Sequence, residues 1–332
     1  MTGGARRRAQ AALVYNPVKS DGRRLRAALI DRSRHHGWRS PRFYETTVED
    51  PGQDVTRRAL DDGAEVILVA GGDGTVRAVS EAVAGTGTPL SIVPSGTGNL
   101  FALNLGLPQT TPEAMIDAVF TGFSYPVDIG WALLTRTDDS EDEHAFVVLA
   151  GMGLDASMIA KTSPQLKKSV GWVAYVDGAA RSLPGAKPFR TLYQLDEGRL
   201  HSAKVHSVLF ANCGLLPAGI SLVPDASVDD GALDVAVIQP AGPLGWVGLW
   251  RKIWWDNSVL RRSRAGRRVL ERRGTSTSIR YLRGGVAEAA MTGPTPIELD
   301  GDEFGDAVRI ACRIAPGALT VVLPEGHDIS KL

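Results

Sequence analysis

The sequence predicts an α/β N-terminal domain with a doubly wound, mostly parallel sheet, followed by a mainly antiparallel β-sandwich or barrel domain. Three observations predict it. Up to about residue 130, short apolar runs without polar alternation take turns with helical patterns, and strands that are apolar throughout belong to parallel sheets covered on both faces. Beyond Val127 the runs are alternating or β-branched and sit between turn signals, the pattern of antiparallel strands. The chain has 332 residues, enough for two cores at about 150 residues per domain.

The elements follow in order. Ala11 to Tyr15 reads as a buried strand. Asp21 to His36 reads as a helix with Leu25 and Leu29 on one face, stopped by Gly37. Arg42 to Glu45 is a second strand, Gln53 to Asp62 a helix and Glu65 to Ala70 a third strand. Gly71-Gly72-Asp73-Gly74-Thr75 then opens a helix whose Val76, Val79 and Val83 face inward. Pro89 to Val93 is a fourth strand, followed by a second small-residue turn, Pro94-Ser95-Gly96-Thr97-Gly98-Asn99. Strands are expected further on at Phe146 to Ala150, Leu192 to Leu195, Val205 to Phe210, Leu233 to Ile238, Ser278 to Tyr281, Ile297 to Asp300 and Ala307 to Ile314. Thr137 to His144 holds five acids and reads as a solvated hairpin loop. Residues 8–130 are the expected nucleotide-binding domain, with the C-terminal segment 316–332 returning to it, and residues 131–315 the β-rich acceptor domain.

Composition narrows the function classes. Hydrophobic residues at 43% and charged ones at 22% exclude disorder, collagen and a coiled coil. Lys and Arg number 37 against 37 Asp and Glu, so the chain as a whole is no polycation built to coat nucleic acid. Cys213 and Cys312 are the two cysteines; they form neither a disulfide framework nor a four-ligand zinc site, and fit small core positions in a reducing compartment. The apolar run before Asn16-Pro17 is too short for a signal sequence, and no uninterrupted stretch of about 18 apolar residues is present. The expected location is cytoplasmic, with peripheral contact at the inner membrane face.

Strand, glycine-rich turn, helix is a geometry that cradles phosphate, because glycines let the main chain approach and the helix start supplies free N–H groups. Asp73 places an anion where an anion would bind, which makes sense if it meets a metal or a donor network around phosphates. The second turn, Ser95 to Asn99, and Asn16 at the end of the first strand belong to the same carboxyl edge, where ligands bind in open α/β folds. There is neither a Walker A loop nor a dinucleotide fingerprint.

These turns resemble the nucleotide loop of the diacylglycerol kinase catalytic-domain family, which includes the sphingosine kinases and bacterial lipid kinases and is related in fold to NAD kinases and 6-phosphofructokinases. The resemblance runs in order through Asn16-Pro17, Gly71 to Thr75, Ser95 to Asn99, Gly151-Met152-Gly153-Leu154-Asp155-Ala156, Pro224 to Asp234, Leu299 to Asp302 and Pro316 to Leu319. It implies ATP laid across Gly71, Gly72, Asp73, Gly74 and Thr75, with Asn16, Pro17, Ser95, Gly96, Thr97 and Asn99 nearby. It implies Thr46 or Thr47 on the nucleoside side. It also implies a Mg2+ site of the Asp230 carboxylate with the carbonyls of Ser227 and Ala232, a ligand set suited to a hard cation. Asp300 to Asp302 resembles the family's Asp-Gly-Glu. Asp300 or Asp302 would receive the acceptor's proton while Asp73 serves the metal–phosphate network, the chemistry lying between the domains. Two departures stand out. Asp302 is one methylene shorter than the usual Glu, and Leu100 stands where the family often has an acid.

The expected activity is therefore that of an ATP- and Mg2+-dependent lipid kinase acting on diacylglycerol or a similar long-chain alcohol. The alternatives are a NAD kinase-like enzyme and a catalytically silent lipid- or nucleotide-binding protein. Trp246, Trp250 and Trp254 recur at one helical spacing beside Trp255, and Arg251 to Arg283 holds eleven Lys and Arg against two acids. That composition fits contact with an anionic membrane surface; the competing reading is core or subunit-contact tryptophans, with a homodimer, beside solvated arginines. No nucleic-acid recognition motif accompanies it.

Overall fold

The computed structural model describes residues 9–95, 98–153, 188–216, 220–240, 245 and 278–332. The chain divides into two compact units, one of residues 1–128 with 317–332 and one of residues 129–316. The tryptophan–arginine stretch up to residue 277, and Leu154 to Ala156 of the sequence pattern, lie outside the described residues.

In the first unit, β1 (Ala11–Tyr15), β2 (Arg42–Glu45), β3 (Val66–Gly71) and β4 (Leu90–Pro94) form a parallel sheet in the order β4-β3-β1-β2. Every residue of β1, β3 and β4 is buried, as the lack of polar alternation requires of strands covered on both faces. α1 (Gly22–His35) starts at Asp21, whose carboxylate accepts from Arg24 N, and stops before Gly37, which has φ 70°. α2 (Gln53–Asp61) packs on α3 (Asp73–Val83), and α1 packs on α5 (Pro112–Thr121); the short α4 (Leu100–Asn104) follows β4. Val76, Val79 and Val83 of α3 are buried as expected.

The chain leaves this unit along β5 (Phe123–Thr135) and returns along the last strand. Asp128 marks the exit: its buried carboxylate accepts from Gly317 N at 2.8 Å, binding the outgoing strand to the returning one.

The second unit is antiparallel. Its strands are β6 (Glu141–Phe146), β7 (Leu149–Met152), β8 (Phe189–Leu195), β9 (His201–Val205), β10 (Ser207–Ala211), the short β11 (Leu215–Leu216) and β12 (Ile220–Ser221), β13 (Leu233–Ile238), β14 (Ile279–Gly284), β15 (Val286–Leu299) and β16 (Asp302–Leu323). They pair β14-β13-β10-β7-β15-β16, with β8 and β9 continuing from β15 and β6 paired to β5. Phe146, Met152, Phe210, Leu299, Ile310 and Cys312 lie in its core. Both cysteines are buried.

Three sequence expectations are corrected. Phe146 to Ala150 is not one strand; it breaks between β6 and β7 because the amides of Val147 and Val148 turn to a side chain. Val205 to Phe210 breaks at His206 into two strands. The acidic run is half hairpin turn and half strand: Thr137 to Ser140 turn between β5 and β6, while β6 carries Glu141, Asp142 and Glu143, and cation partners such as Arg136 on Asp142 and Arg313 on Glu143 offset their charge.

Candidate active site

The carboxyl edge of the parallel sheet gathers three chain turns. The first leaves β1 at Asn16, whose N–H donates to Ala70 O at 2.9 Å and so fixes the turn beside the end of β3. Asn16 Oδ1 accepts from Val18 N at 2.9 Å and Lys19 N at 3.1 Å, and Asn16 O accepts from Ser20 Oγ at 2.6 Å. An asparagine supplies both acceptors from one residue, which is why it suits this corner.

The second turn is Gly71 to Thr75. Gly71 cannot carry a side chain, since a Cβ there would lie 2.6 Å from Thr75 Cβ. Gly72 caps α3 with no side-chain bond of its own, leaving first-turn amides to outside partners. Asp73 is the first residue of α3, but its carboxylate reaches across to the third turn and accepts from Leu100 N at 2.6 Å. It thereby ties Gly71–Thr75 to Ser95–Asn99. Asn99 starts α4 in the left-handed conformation, φ 45°, which asparagine tolerates better than most residues. Ser95 Oγ donates to Val93 O at 3.0 Å. Gly96 and Thr97 lie outside the described residues.

The two threonines after β2 differ. Thr47 Oγ1 accepts from Asp50 N at 3.0 Å, closing a turn. Thr46 is buried, and its hydroxyl has no hydrogen-bond partner.

In the second unit the Asp-Gly-Asp turn joins β15 to β16. Asp300 is buried, with φ 50°. Its carboxylate accepts from Val147 N at 2.8 Å, Val148 N at 2.8 Å and Leu149 N at 2.9 Å. Asp300 N donates in turn to Leu149 O at 2.9 Å. Asp302, two residues on, is exposed at the start of β16.

The turn before β13 holds the expected metal residues. Asp230 Oδ1 accepts from Ala232 N at 3.0 Å, Asp230 Oδ2 pairs with the Arg283 guanidinium, and Ser227 Oγ donates to Asp229 Oδ1 at 2.7 Å. Asp234 is buried, its Oδ2 lacks a hydrogen-bond partner, and Arg283 Nε stands 3.9 Å away. Burial raises Asp234 from 3.8 to about 6; Arg283 opposes this, while Asp230 and Asp225 add to it. Among the described residues no three His, Cys, Asp or Glu side chains gather as a metal site. The family set asks for one carboxylate and carbonyls instead. With three carboxylates facing one guanidinium and a buried oxygen left over, the turn fits a divalent cation.

Residues 10–132 match the family described as the diacylglycerol kinase catalytic domain, and residues 147–323 match the YegS C-terminal NAD kinase beta sandwich-like domain. The chain belongs to the diacylglycerol kinase catalytic-domain family. It is 29% identical over 228 residues to a diacylglycerol kinase of Mycobacterium tuberculosis, covering 68% of this chain and 72% of the relative. It is 27% identical over 328 residues, 96% of each chain, to a YegS-like lipid kinase of Pseudomonas aeruginosa. In fold it resembles a crystal structure of a diacylglycerol kinase from Bacillus anthracis, with TM-score 0.65, 18% identity and coverage of 98% of this chain and 100% of that one. It also resembles yeast NADH kinase, with TM-score 0.53, 12% identity and coverage of 98% and 87%. The protein is thus a lipid kinase-like phosphotransferase with an alcohol acceptor.

Proposed function

We propose that this family member transfers the γ-phosphoryl group of ATP to the hydroxyl of diacylglycerol or a similar long-chain lipid alcohol. The observation that carries the reading is the Asp73–Leu100 bond, which ties two glycine-bearing turns together at the carboxyl edge of the sheet. With Asn16 fixed beside them, they offer the main-chain amides that a polyphosphate needs.

In this reading Gly71 to Thr75, Asn16, Pro17, Ser95, Gly96, Thr97 and Asn99 hold the nucleotide. Of the two threonines, Thr46 is the one with an uncommitted hydroxyl. Mg2+ carried with the nucleotide would supply charge neutralisation of its phosphate oxygens. Asp73 orients that network, and Asp230, with the carbonyls of Ser227 and Ala232, would hold a second, structural ion. Asp300 and Asp302 then divide their labour. Three N–H donors occupy the Asp300 carboxylate, so it positions the turn, and Asp302 receives the proton of the acceptor hydroxyl. The acceptor hydroxyl sits at headgroup level in a bilayer, so the enzyme works at an anionic membrane surface, with the basic, tryptophan-bearing stretch as its contact. No helix among the described residues is long and apolar enough to cross a membrane.

The test is labelled ATP with the purified protein and a panel of diacylglycerol, ceramide, sphingosine, phosphatidylinositol and NAD. Labelled phosphatidic acid is expected. Labelled NADP would replace this reading with the NAD kinase one, to which the fold also conforms. ATP binding without any product would make the protein a silent sensor.

A further inference from the structure

Arg136 belongs to no sequence motif of the site, yet its side chain reaches the strand that carries Asp302. It follows β5 at the base of the β5–β6 hairpin, where its N–H donates to Ser140 O at 2.9 Å. Its guanidinium is committed on two sides. Nε donates to Asp142 Oδ1 at 2.7 Å and Nη2 to Asp142 Oδ2 at 2.6 Å, a fork that fixes the plane of the group. Nη1 then donates to Phe304 O at 2.8 Å and to Asp306 O at 3.0 Å. His144 Nε2 stands 2.7 Å from Asp142 Oδ2, and its ring packs on the Phe304 ring with centroids 4.7 Å apart.

The receiving strand is irregular at this point. β15 and β16 pair Pro296 with Asp306 and Glu298 with Glu303, so Ile297 alone faces both Phe304 and Gly305. This is a β-bulge, and Gly305 takes φ 72° in it. Pro296 has no N–H to give to Asp306 O across the ladder, and Arg136 supplies a donor in its place. A bulge bends its strand and re-aims the side chains next to it. Here β16 begins at Asp302, two residues before Phe304. An exposed carboxylate beside a loose bulge would sample many orientations, whereas a misplacement of about 1 Å at a reacting group can cost about 10²-fold in rate.

We infer that Arg136 is a positioning residue for the transfer step: it clamps the Phe304–Gly305 bulge and thereby holds the Asp302 carboxylate in one orientation. The inference rests on the reading that Asp302 receives the proton of the acceptor hydroxyl. Arg136 touches neither lipid nor nucleotide in it. Its part is the rigid fork, which joins a carboxylate on β6 to two carbonyls on β16 and which the point charge of a lysine does not reproduce.

The test is a double-mutant cycle in the labelled-ATP assay with diacylglycerol, run on the native protein, Arg136→Ala, Asp302→Asn and the double variant, beside thermal melting. Arg136→Ala should lower kcat by about tenfold or more and leave KM for ATP unchanged. In the Asp302→Asn background the same substitution should lower kcat little further, because the group it orients is already lost. Arg136→Lys keeps a cation beside Asp142 without the fork. It should melt like the native chain and still lose kcat several-fold, which serves the test if the alanine variant does not fold. Equal losses in the two backgrounds would make Arg136 a support of the fold alone and overturn the inference. Native kcat in either Arg136 variant, or a loss carried by KM for ATP, would overturn it too. Near-native turnover of Asp302→Asn by itself would sink the role given to Asp302, and a native protein that yields no labelled lipid would sink the kinase reading; each takes this inference with it.

Discussion

The Gly71–Thr75 turn of the first unit and the Asp300–Asp302 turn of the second both place a carboxylate against main-chain amides, one at the start of a helix and the other at a break between strands. Asp73 accepts from Leu100 N, whereas Asp300 accepts from three consecutive amides. The difference shows how to tell a structural acid from a reactive one. A buried carboxylate that holds three consecutive N–H donors is committed to the backbone, and losing it strands those donors. Asp300 is therefore a keystone for the break between β6 and β7, and Asp302, exposed beside it, is the candidate for proton transfer.

The comparison is most strongly tested by Asp300→Asn. An asparagine offers one acceptor oxygen and turns a donor toward an N–H, so the second unit should lose on the order of 3 kcal/mol, read in urea melts. Native-like stability would mean the three bonds are unimportant. Asp302→Asn should behave oppositely, with an unchanged melting curve and turnover about 10²-fold lower or less. Near-native turnover would remove Asp302 from the chemistry. Asp73→Asn keeps an acceptor for Leu100 N but not the charge, and is expected to lose turnover more than stability, measured by the same two assays.

Two smaller effects sharpen the picture away from these turns. Millimolar Mg2+ should raise the melting temperature of the nucleotide-free protein, and Asp230→Asn should abolish that rise. An equal rise in both would place the ion elsewhere. Asp142 is held below its ordinary range by hydrogen bonds from the Arg136 guanidinium, with His144 assisting. A carboxylate lowered in the folded state stabilises above its ordinary pKa, and that stabilisation fades as pH falls through the folded value. Asp142→Asn should therefore cost at most about 1 kcal/mol near pH 7, given a side chain 35% exposed. The deficit should shrink below about pH 4. A deficit independent of pH would assign the effect to packing.

The first unit was largely legible because parallel strands buried on both faces leave an unbroken apolar signature, as in Val66–Gly71. The glycine turns were legible because few residue types meet their steric demands. The second unit was read less well. β6 looked like a loop because partners distant in sequence, such as Arg313, offset its acids. The break at Val147 was invisible because its cause, Asp300, lies 153 residues away.

The sequence by itself determined where the chain turns at the carboxyl edge of the sheet, because glycine, asparagine and aspartate at strand ends are demanded by local backbone geometry. Only the tertiary structure decided which aspartate is committed to consecutive amides and which threonine keeps its hydroxyl. Those are matters of hydrogen-bond saturation and close approach between segments far apart in the chain, and no local pattern encodes them.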